Sequence, residues 1–211
     1  MINSRIHFVD RQRKNEIDEL RTHAYKNATG FKVDLTTLTW KSSDDDSFIM
    51  AAEAHGQILS TMRGEIIAEL SLLEEKLECP WSFPIALDMP ILLLSRAATL
   101  FSHRSLGLNL ILRYWFIRFA ISHNIRFLVG TFVSGSPREK TLNEMGYQFF
   151  ENTLGWQKST YRSLRPVTVV VLDLKAQGEK AIQHCFNCQP NLLEEFPFDG
   201  DFPSLRFVGG L

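Results

Sequence analysis

The chain has 211 residues, of which 45% are hydrophobic and 22% charged, and its formal net charge is −1. This composition is typical of one globular domain with a substantial core, and the balanced charge argues against a nucleic-acid partner. Residues 1 to 10 lack the apolar core of a signal peptide, and Arg113 and Arg118 interrupt the richest apolar segment. We therefore predict a cytoplasmic protein without an integral membrane segment.

The amino-terminal part of the chain predicts strands and helices of moderate length. Ile17, Leu20 and Ala24 recur on one face of a helix, whereas His55-Gly56 marks the tight turn of a hairpin. The acidic run at 41–46 is interpreted as a solvated turn. In chain order, the predicted elements are a strand over 2–10, a helix over 12–26, a hairpin over 47–54 and 57–63, and a helix over 65–78.

The central part predicts a strand, a glycine-bearing turn, a helix, a second strand and a short helix. A β-branched run indicates a final buried strand, and the last residues have no clear period, so that they could wrap the domain, gate a cleft or remain loose. We expect one domain over 1–175, then a carboxy-terminal helix and an irregular tail over 176–211. The elements predicted here are strands over 91–100, 126–133 and 163–174, and helices over 108–122, 137–145 and 177–186.

The cysteines of the chain are Cys79, Cys185 and Cys188, an odd number without a secretion signal, which argues against a disulfide framework. His184 stands at a metal-like spacing from the last two of them. No second pair of ligands is placed to complete a tetrahedral site. We therefore predict incidental thiols and no metal.

The turn between the first central strand and its helix is a candidate anion site. The helix begins just after Gly107, so its first backbone N–H groups have no partner within the helix. Gly107 lets a ligand come close to the backbone, and Arg104 adds a fixed positive charge. Such a turn suits a pyrophosphate or a phosphopantetheine phosphate, and an ordinary strand-to-helix turn is the alternative.

The sequence of this turn resembles a signature of the GNAT superfamily of N-acetyltransferases, Arg/Gln-x-x-Gly-x-Gly/Ala. A later helix followed by Gly146-Tyr147 resembles a second element of that family, whereas Asn109 departs from its preference for a residue without a bulky side chain. The resemblance implies an α/β fold with a mixed central sheet flanked by helices and, here, a carboxy-terminal extension. It also implies that the carrier of the acyl group is bound by Ala98, Leu100, Arg104, Ser105, Leu106, Gly107, Leu108 and Asn109.

The order of three arginines along the chain resembles a pattern in one branch of this superfamily. That branch contains acyl-homoserine-lactone synthases and N-acyl amino acid synthases. Arg21 matches the arginine of the first helix, Arg63 the one that ends the hairpin, and Ser95-Arg96 the Ser/Thr-Arg strand motif. The resemblance implies that these residues bind the acceptor, although Arg21 could pair with a surface carboxylate and Arg63 could cap a hairpin. Arg96 stands in an apolar strand, so it either reaches a buried acid or lines a cleft, and we favour the cleft. Leu93 replaces a glutamate of the lactone synthases, which argues against S-adenosylmethionine and favours an amino acid.

The same resemblance implies direct attack of an amine on a thioester. A backbone N–H around Thr99 would stabilise the oxyanion, while the family's tyrosine acid falls on Leu142 and is therefore absent. Glu53, His55, His103 or water could remove the amine proton, and these alternatives stay open. The candidate catalytic residues are Glu53, His103 and Thr99, with proximity and electrostatics as the main source of rate.

The predicted function is N-acyltransfer from acyl carrier protein or coenzyme A to a small amine, with a long acyl chain and an amino acid in the leading interpretation. The alternatives are a conventional acetyl-coenzyme A-dependent N-acetyltransferase and a non-catalytic acyl-thioester or protein-binding module. An acyl carrier protein would dock its acidic helix near Arg104, Arg113 or Lys140. Four aromatic residues could line an acyl pocket or belong to the core: Trp81, Phe83, Trp115 and Phe116.

Overall fold

The computed structural model of the chain describes residues 4–26, 31–32, 38–152, 162–163 and 167–208. The strands are β1 (Ser4–Val9), β2 (Phe31–Lys32), β3 (Phe48–Ala54), β4 (Gln57–Ile67), β5 (Ile91–Thr99), β6 (Phe127–Val133), β7 (Gln148–Asn152), β8 (Arg162–Ser163) and β9 (Val167–Asp173). The helices are α1 (Lys14–Lys26), α2 (Ser42–Asp45), α3 (Leu70–Leu77), α4 (Leu108–Ser122), α5 (Arg138–Glu144), α6 (Leu174–Cys188) and α7 (Pro190–Glu195).

Seven of the strands form one mixed sheet in the order β1-β3-β4-β5-β6-β9-β7. Among the described strands of this sheet, only β5 and β6 run parallel, and α4 makes the connection between them, as parallel pairing requires. The other neighbours in this sheet are antiparallel, and β2 pairs with β8 in a separate two-stranded sheet. The predicted mixed α/β sheet flanked by helices is confirmed.

The two parallel strands separate along their length. Their pairing is restricted to residues 92–94 of β5 and 128–130 of β6. Beyond Leu94, β5 carries a bulge against β4, and Arg96 within it has φ of +49°. Because a bulge bends its strand, residues 95–99 of β5 diverge from Thr131–Val133 of β6. We call the space between these two segments the strand cleft.

Helix α4 covers one face of the sheet, and its buried side chains include Ile111, Phe116 and Phe119. On the other face, α1 packs over Ile49 and Ala51 of β3, while α3 and the segment at 81–89 pack over β5, β6 and β9. Arg63 and Glu65 alternate with residues of the α4 face, so they lie on the second face between these two apolar groups. Among the described residues, no helix is both long and apolar enough to cross a membrane.

The helix predicted over 65–78 begins only at Leu70, because residues 65–67 continue β4 and pair with Leu93, Leu92 and Ile91 of β5. Leu70, the first residue of this helix, is 41% exposed. At the other end of the chain, α6 begins three residues earlier than predicted. Its start is fixed by Asp173, whose carboxylate accepts the backbone N–H groups of Lys175 and Ala176.

The tail wraps the domain, which is one of the three behaviours that its sequence left open. Ile6 of β1 donates its N–H to the Pro197 carbonyl over 2.8 Å and accepts from the Asp199 N–H over 2.7 Å. Farther on, the Val208 N–H donates to the Ile66 carbonyl over 3.1 Å. The tail therefore covers the outer edge of β1 and then reaches the end of β4.

Native alkylation is expected to modify Cys188 well before Cys185 and Cys79. Cys188 is exposed, whereas Cys185 lies in the core and burial raises its pKa to about 12. Burial also raises the pKa of Cys79. Mass spectrometry of the protein treated with iodoacetamide should find one fast site in buffer and three in urea, and early labelling of Cys185 would contradict the packing of α6.

Candidate active site

One buried carboxylate brings together the three arginines that the sequence singles out. Asp44 of α2 is 1% exposed and accepts hydrogen bonds from Arg21 Nη2 over 3.2 Å and from Arg96 Nη1 over 2.9 Å. Arg63 Nη1 lies 3.4 Å from the same carboxylate, and the Lys41 N–H donates to it over 3.0 Å. The prediction of a solvated acidic turn is therefore wrong for Asp44, because three cations from distant elements stabilise its burial.

The cations determine the charge state of this carboxylate. Burial alone would raise the pKa of Asp44, but Arg21, Arg96 and Arg63 together lower it below its ordinary value. Arg21 is 0% exposed, and burial lowers its pKa although Asp44 opposes that change. Since a guanidinium keeps its proton in proteins, the group remains a set of fixed charges.

A second buried carboxylate, Glu65, extends the group across β4. It is 0% exposed and pairs with Arg63 Nη2 over 2.7 Å and with Lys76 Nζ over 2.6 Å. The Ser95 hydroxyl accepts from Arg63 Nε over 2.9 Å and donates to Glu65 over 3.3 Å. Sequence reasoning missed Glu65 because it assigned that residue to a helix, although the structure places it directly opposite Leu93.

We call these seven residues the arginine cluster: Arg21, Arg63, Arg96, Asp44, Glu65, Lys76 and Ser95. Four cations face two carboxylates in it, and Asp18, which interacts with Arg21, adds a third carboxylate. Within the described part of the chain, Nε and Nη1 of Arg21 and Nε of Arg96 are buried without a hydrogen-bond partner. The cluster has an excess of positive charge and unused donors, which suits an anionic group.

The cluster lies at the apex of the strand cleft. Ser95 follows Leu94, the last residue of β5 that pairs with β6, and Arg96 occupies the bulge. From this apex, the free side of β5 runs toward the turn before α4. The Leu100 N–H at its end donates to the Leu59 carbonyl over 2.9 Å, so that amide is already used, whereas the Thr99 hydroxyl lies 2.8 Å from the Ser60 hydroxyl.

The turn before α4 has the open amides that the sequence predicts. Gly107 has φ of +91° and precedes a 15-residue helix without a side-chain cap. None of the hydrogen bonds between described residues uses the backbone N–H groups of residues 105 to 109. We call residues 104–109 the glycine turn. It combines Arg104 and Ser105 with unpaired amides at the positive end of a helix dipole.

Arg104 of this turn is one of three arginines that are linked by electrostatic interactions. Arg104 Nη2 donates to the Ala24 carbonyl over 2.5 Å, which ties the turn to the end of α1. Arg138 of α5 is exposed at the surface, and the protein around it lowers its pKa, as do the charges of Arg113 and Arg104. Arg138 is therefore repelled by both of the other guanidinium groups, and an anion placed beside it would relieve that repulsion.

The turn also contacts the tail. An added Cβ at Gly107 would lie 2.6 Å from Cδ and 2.7 Å from Nε2 of Gln189. The positive φ strains any side chain at this position, and an added Cβ would also displace the end of the Gln189 side chain. Asn109, which departs from the signature, has a buried Nδ2 without a hydrogen-bond partner among the described residues.

The predicted base Glu53 is held elsewhere in the molecule. On β3, it pairs with Arg5 over 3.2 Å, with His7 over 3.0 Å and with Arg13. These partners belong to β1 and its following turn, so the structure does not bring Glu53 to the arginine cluster. His103 lies in a short turn before the glycine turn, where its Nδ1 is 2.9 Å from the Ser102 hydroxyl.

The four aromatic residues considered for an acyl pocket lie on different faces of the sheet. Trp81 and Phe83 pack edge to face with centroids 4.9 Å apart, and Phe83 stacks on Phe150. These half-buried rings belong to the apolar group under α3, beside the arginine cluster. Trp115 and Phe116 instead belong to α4 on the opposite face. Only the first pair adjoins the cluster.

The splayed parallel strands, the bulged β5 and the glycine turn together define a GNAT-like fold, and comparison with solved structures confirms that fold. No protein-family model matches the chain, and a search of curated proteins finds no match. Among solved structures, the coenzyme A-dependent acyl-homoserine lactone synthase BjaI, with MTA, has a TM-score of 0.61 and 14% identity over 96% of this chain and 95% of its own.

Two further structures are similar over most of their length. FeeM, an N-acyl amino acid synthase from uncultured soil microbes, has a TM-score of 0.60 and 11% identity over 87% of this chain and 97% of its own. An N-acetyltransferase from Staphylococcus aureus Mu50 has a TM-score of 0.55 and 16% identity over 82% of this chain and 99% of its own. At such identities, the similarity shows the fold.

Proposed function

We propose that the chain is an N-acyltransferase that moves a long acyl group from acyl carrier protein or coenzyme A to the amine of a small acceptor with a carboxylate, such as an amino acid. The observation that carries this proposal is the excess of buried positive charge in the arginine cluster, at the apex of the strand cleft. An acceptor carboxylate would supply negative charge there and accept from the unused guanidinium donors.

The donor is proposed to lie along the strand cleft. Its phosphate would accept from the open amides of the glycine turn, with Arg104, Ser105, Leu106, Leu108 and Asn109 around it. The pantetheine arm would then follow the free side of β5, which beyond Leu94 pairs with none of the described strands on that side. This path places the thioester beside residues 97–99 and close to the arginine cluster.

The chemistry is proposed to rest on position and charge. The arginine cluster holds the acceptor by its carboxylate, so that its amine faces the thioester carbonyl. A backbone N–H of Ala98 or Thr99 stabilises the oxyanion, and water takes the amine proton, because Glu53 is committed to its own ion pairs. The apolar group under α3, with Trp81 and Phe83, adjoins this point and would hold the acyl chain.

A panel of donors and acceptors tests this proposal. The purified protein is incubated with coenzyme A and acyl carrier protein thioesters of short and long chains, each with a mixture of amino acids, and products are identified by mass spectrometry. We expect long-chain N-acyl amino acids. Product from acetyl-coenzyme A alone would favour a conventional acetyltransferase, and donor binding without any product would favour a binding module.

Gly107→Ala is expected to raise the donor KM about tenfold, equivalent to about 1.4 kcal/mol of binding, and to lower stability by about 1–2 kcal/mol. An alanine at φ of +91° is strained, and its Cβ would displace Gln189 or the turn itself. Steady-state kinetics and urea unfolding measure the two effects.

Gly200→Ala is the matched control for this change. Gly200 has φ of +101° in the tail, and an added Cβ there meets nothing within 4 Å. It should lose similar stability and keep the wild-type donor KM. Equal donor KM values for the two variants would contradict a donor site at the glycine turn.

A further inference from the structure

Tyr25 connects the two ends of the proposed donor path. It lies one residue before the end of α1, and its hydroxyl donates to the Ala97 carbonyl of β5 over 3.2 Å. The residue before it, Ala24, accepts from Arg104 of the glycine turn over 2.5 Å. The end of α1 is thus fixed to the phosphate end of the path and to its reactive end at once.

The partner of the Tyr25 hydroxyl belongs to the wall of the strand cleft. Ala97 lies beyond Leu94, in the part of β5 that diverges from β6. In the proposed function, the thioester carbonyl lies beside residues 97–99. A donor that runs from the glycine turn to this point passes its sulfur atom close to the Tyr25 hydroxyl.

This phenol also interacts with a positive charge. Arg138 of α5 interacts electrostatically with Tyr25, and Arg104 and Arg113 act on Arg138 in turn. Cations at such range favour the phenolate over the neutral phenol. A phenol that must give up its proton during a reaction is therefore well placed here, because Arg138 of α5 stabilises the negative charge that it acquires.

We propose that Tyr25 is the general acid of the reaction, an inference that rests on the proposed function. The neutral amine attacks the thioester carbon, a C–N bond forms, and the C–S bond breaks with its electron pair moving to sulfur. The Tyr25 proton passes to the sulfur and gives a free thiol. The amide nitrogen releases its extra proton to water, and the phenolate regains a proton from water, so charge and atoms balance.

Tyr25→Phe tests this role because it removes only the hydroxyl. With an acyl-coenzyme A donor, whose alkyl thiol is a poor leaving group, kcat should fall about 100-fold while both KM values change less than about threefold. With an acyl thiophenol ester, which expels a stable thiolate without help, kcat/KM should fall less than about threefold. A hydroxyl that only supports the packing of α1 would not produce this dependence on the leaving group.

Tyr114→Phe is the matched control, since the Tyr114 hydroxyl accepts from Arg118 on α4, outside the cleft. It should retain the wild-type rate with both donors. If Tyr25→Phe loses the same fraction of the wild-type rate with both donors, or loses none with acyl-coenzyme A, the role of Tyr25 is overturned. Turnover by the wild-type protein would in that case still support the proposed function. A wild-type protein that forms no product with any donor would overturn both.

Discussion

Asp44→Asn is expected to lower the free energy of unfolding by about 3–5 kcal/mol, the usual cost of leaving buried charges without their partner. Arg21, Arg63 and Arg96 all contact this carboxylate, and Arg21 is 0% exposed, so no solvent replaces the lost negative charge. Urea unfolding followed by circular dichroism measures the change. Asp46→Asn is the control, since Asp46 is an exposed residue of the same segment and should stay within about 0.5 kcal/mol of wild type.

The pH dependence of stability gives a second measurement on the same variant. The pKa of Asp44 is lower in the folded protein than its ordinary value of 3.8. Its contribution is therefore fully present above about pH 4 and is lost as the pH falls through the lower folded pKa. Asp44→Asn should lack this part of the acid-induced loss. If the free energy of unfolding of Asp44→Asn falls with decreasing pH as steeply as that of wild type, the assignment of Asp44 as a paired carboxylate is contradicted.

Arg96→Lys is expected to raise the acceptor KM about 100-fold and to leave the donor KM unchanged. Lysine keeps the charge beside Asp44 but lacks the planar donor fork, and one or two charge-assisted hydrogen bonds of about 1.5–3 kcal/mol each are lost. Both residues have a Cβ, so the strained φ of +49° is common to the two proteins. Initial rates at varied acceptor and saturating donor measure the effect.

Arg118→Lys provides the comparison for this variant. Arg118 lies on α4, where its Nη1 donates to the Tyr114 hydroxyl over 3.0 Å, far in sequence and structure from the arginine cluster. Its KM values should match those of wild type. A rise in the donor KM of Arg96→Lys, with the acceptor KM unchanged, would place Arg96 in the donor site and contradict the proposed acceptor site.

The geometry of the glycine turn could be predicted because its signal is local. A helix start, a glycine and a nearby arginine occupy a few consecutive residues, and α4 has the predicted bounds of 108–122. The three arginines were also identified, each on the element expected for it. Their convergence could not be derived from periodicity, because it depends on the packing of α1, β4 and β5 against one another.

The carboxylates of the cluster could not be predicted for two different reasons. Asp44 stands in a polar run, and the local pattern of such a run is the same whether it is solvated or buried by distant cations. The spacing of apolar residues around Glu65 fits both a helix and a strand. The pairing of β4 with β5 makes this segment a strand. Tyr25 stands in a Leu-Arg-x-x-x-Tyr pattern of the first helix, but its contact with Ala97 could not be predicted, since that contact spans 72 residues of sequence.

The pairing of the tail with β1 limits how far the chain can fold during its synthesis. Ile6 emerges from the ribosome long before Pro197 and Asp199, and the Arg5–Asp199 ion pair joins residues 194 positions apart. Until those late residues arrive, the outer border of the sheet has no cover and can recruit strands from other nascent chains. The pairing of the tail with β1 is therefore expected among the final events of folding. Chains that are truncated before the tail would aggregate.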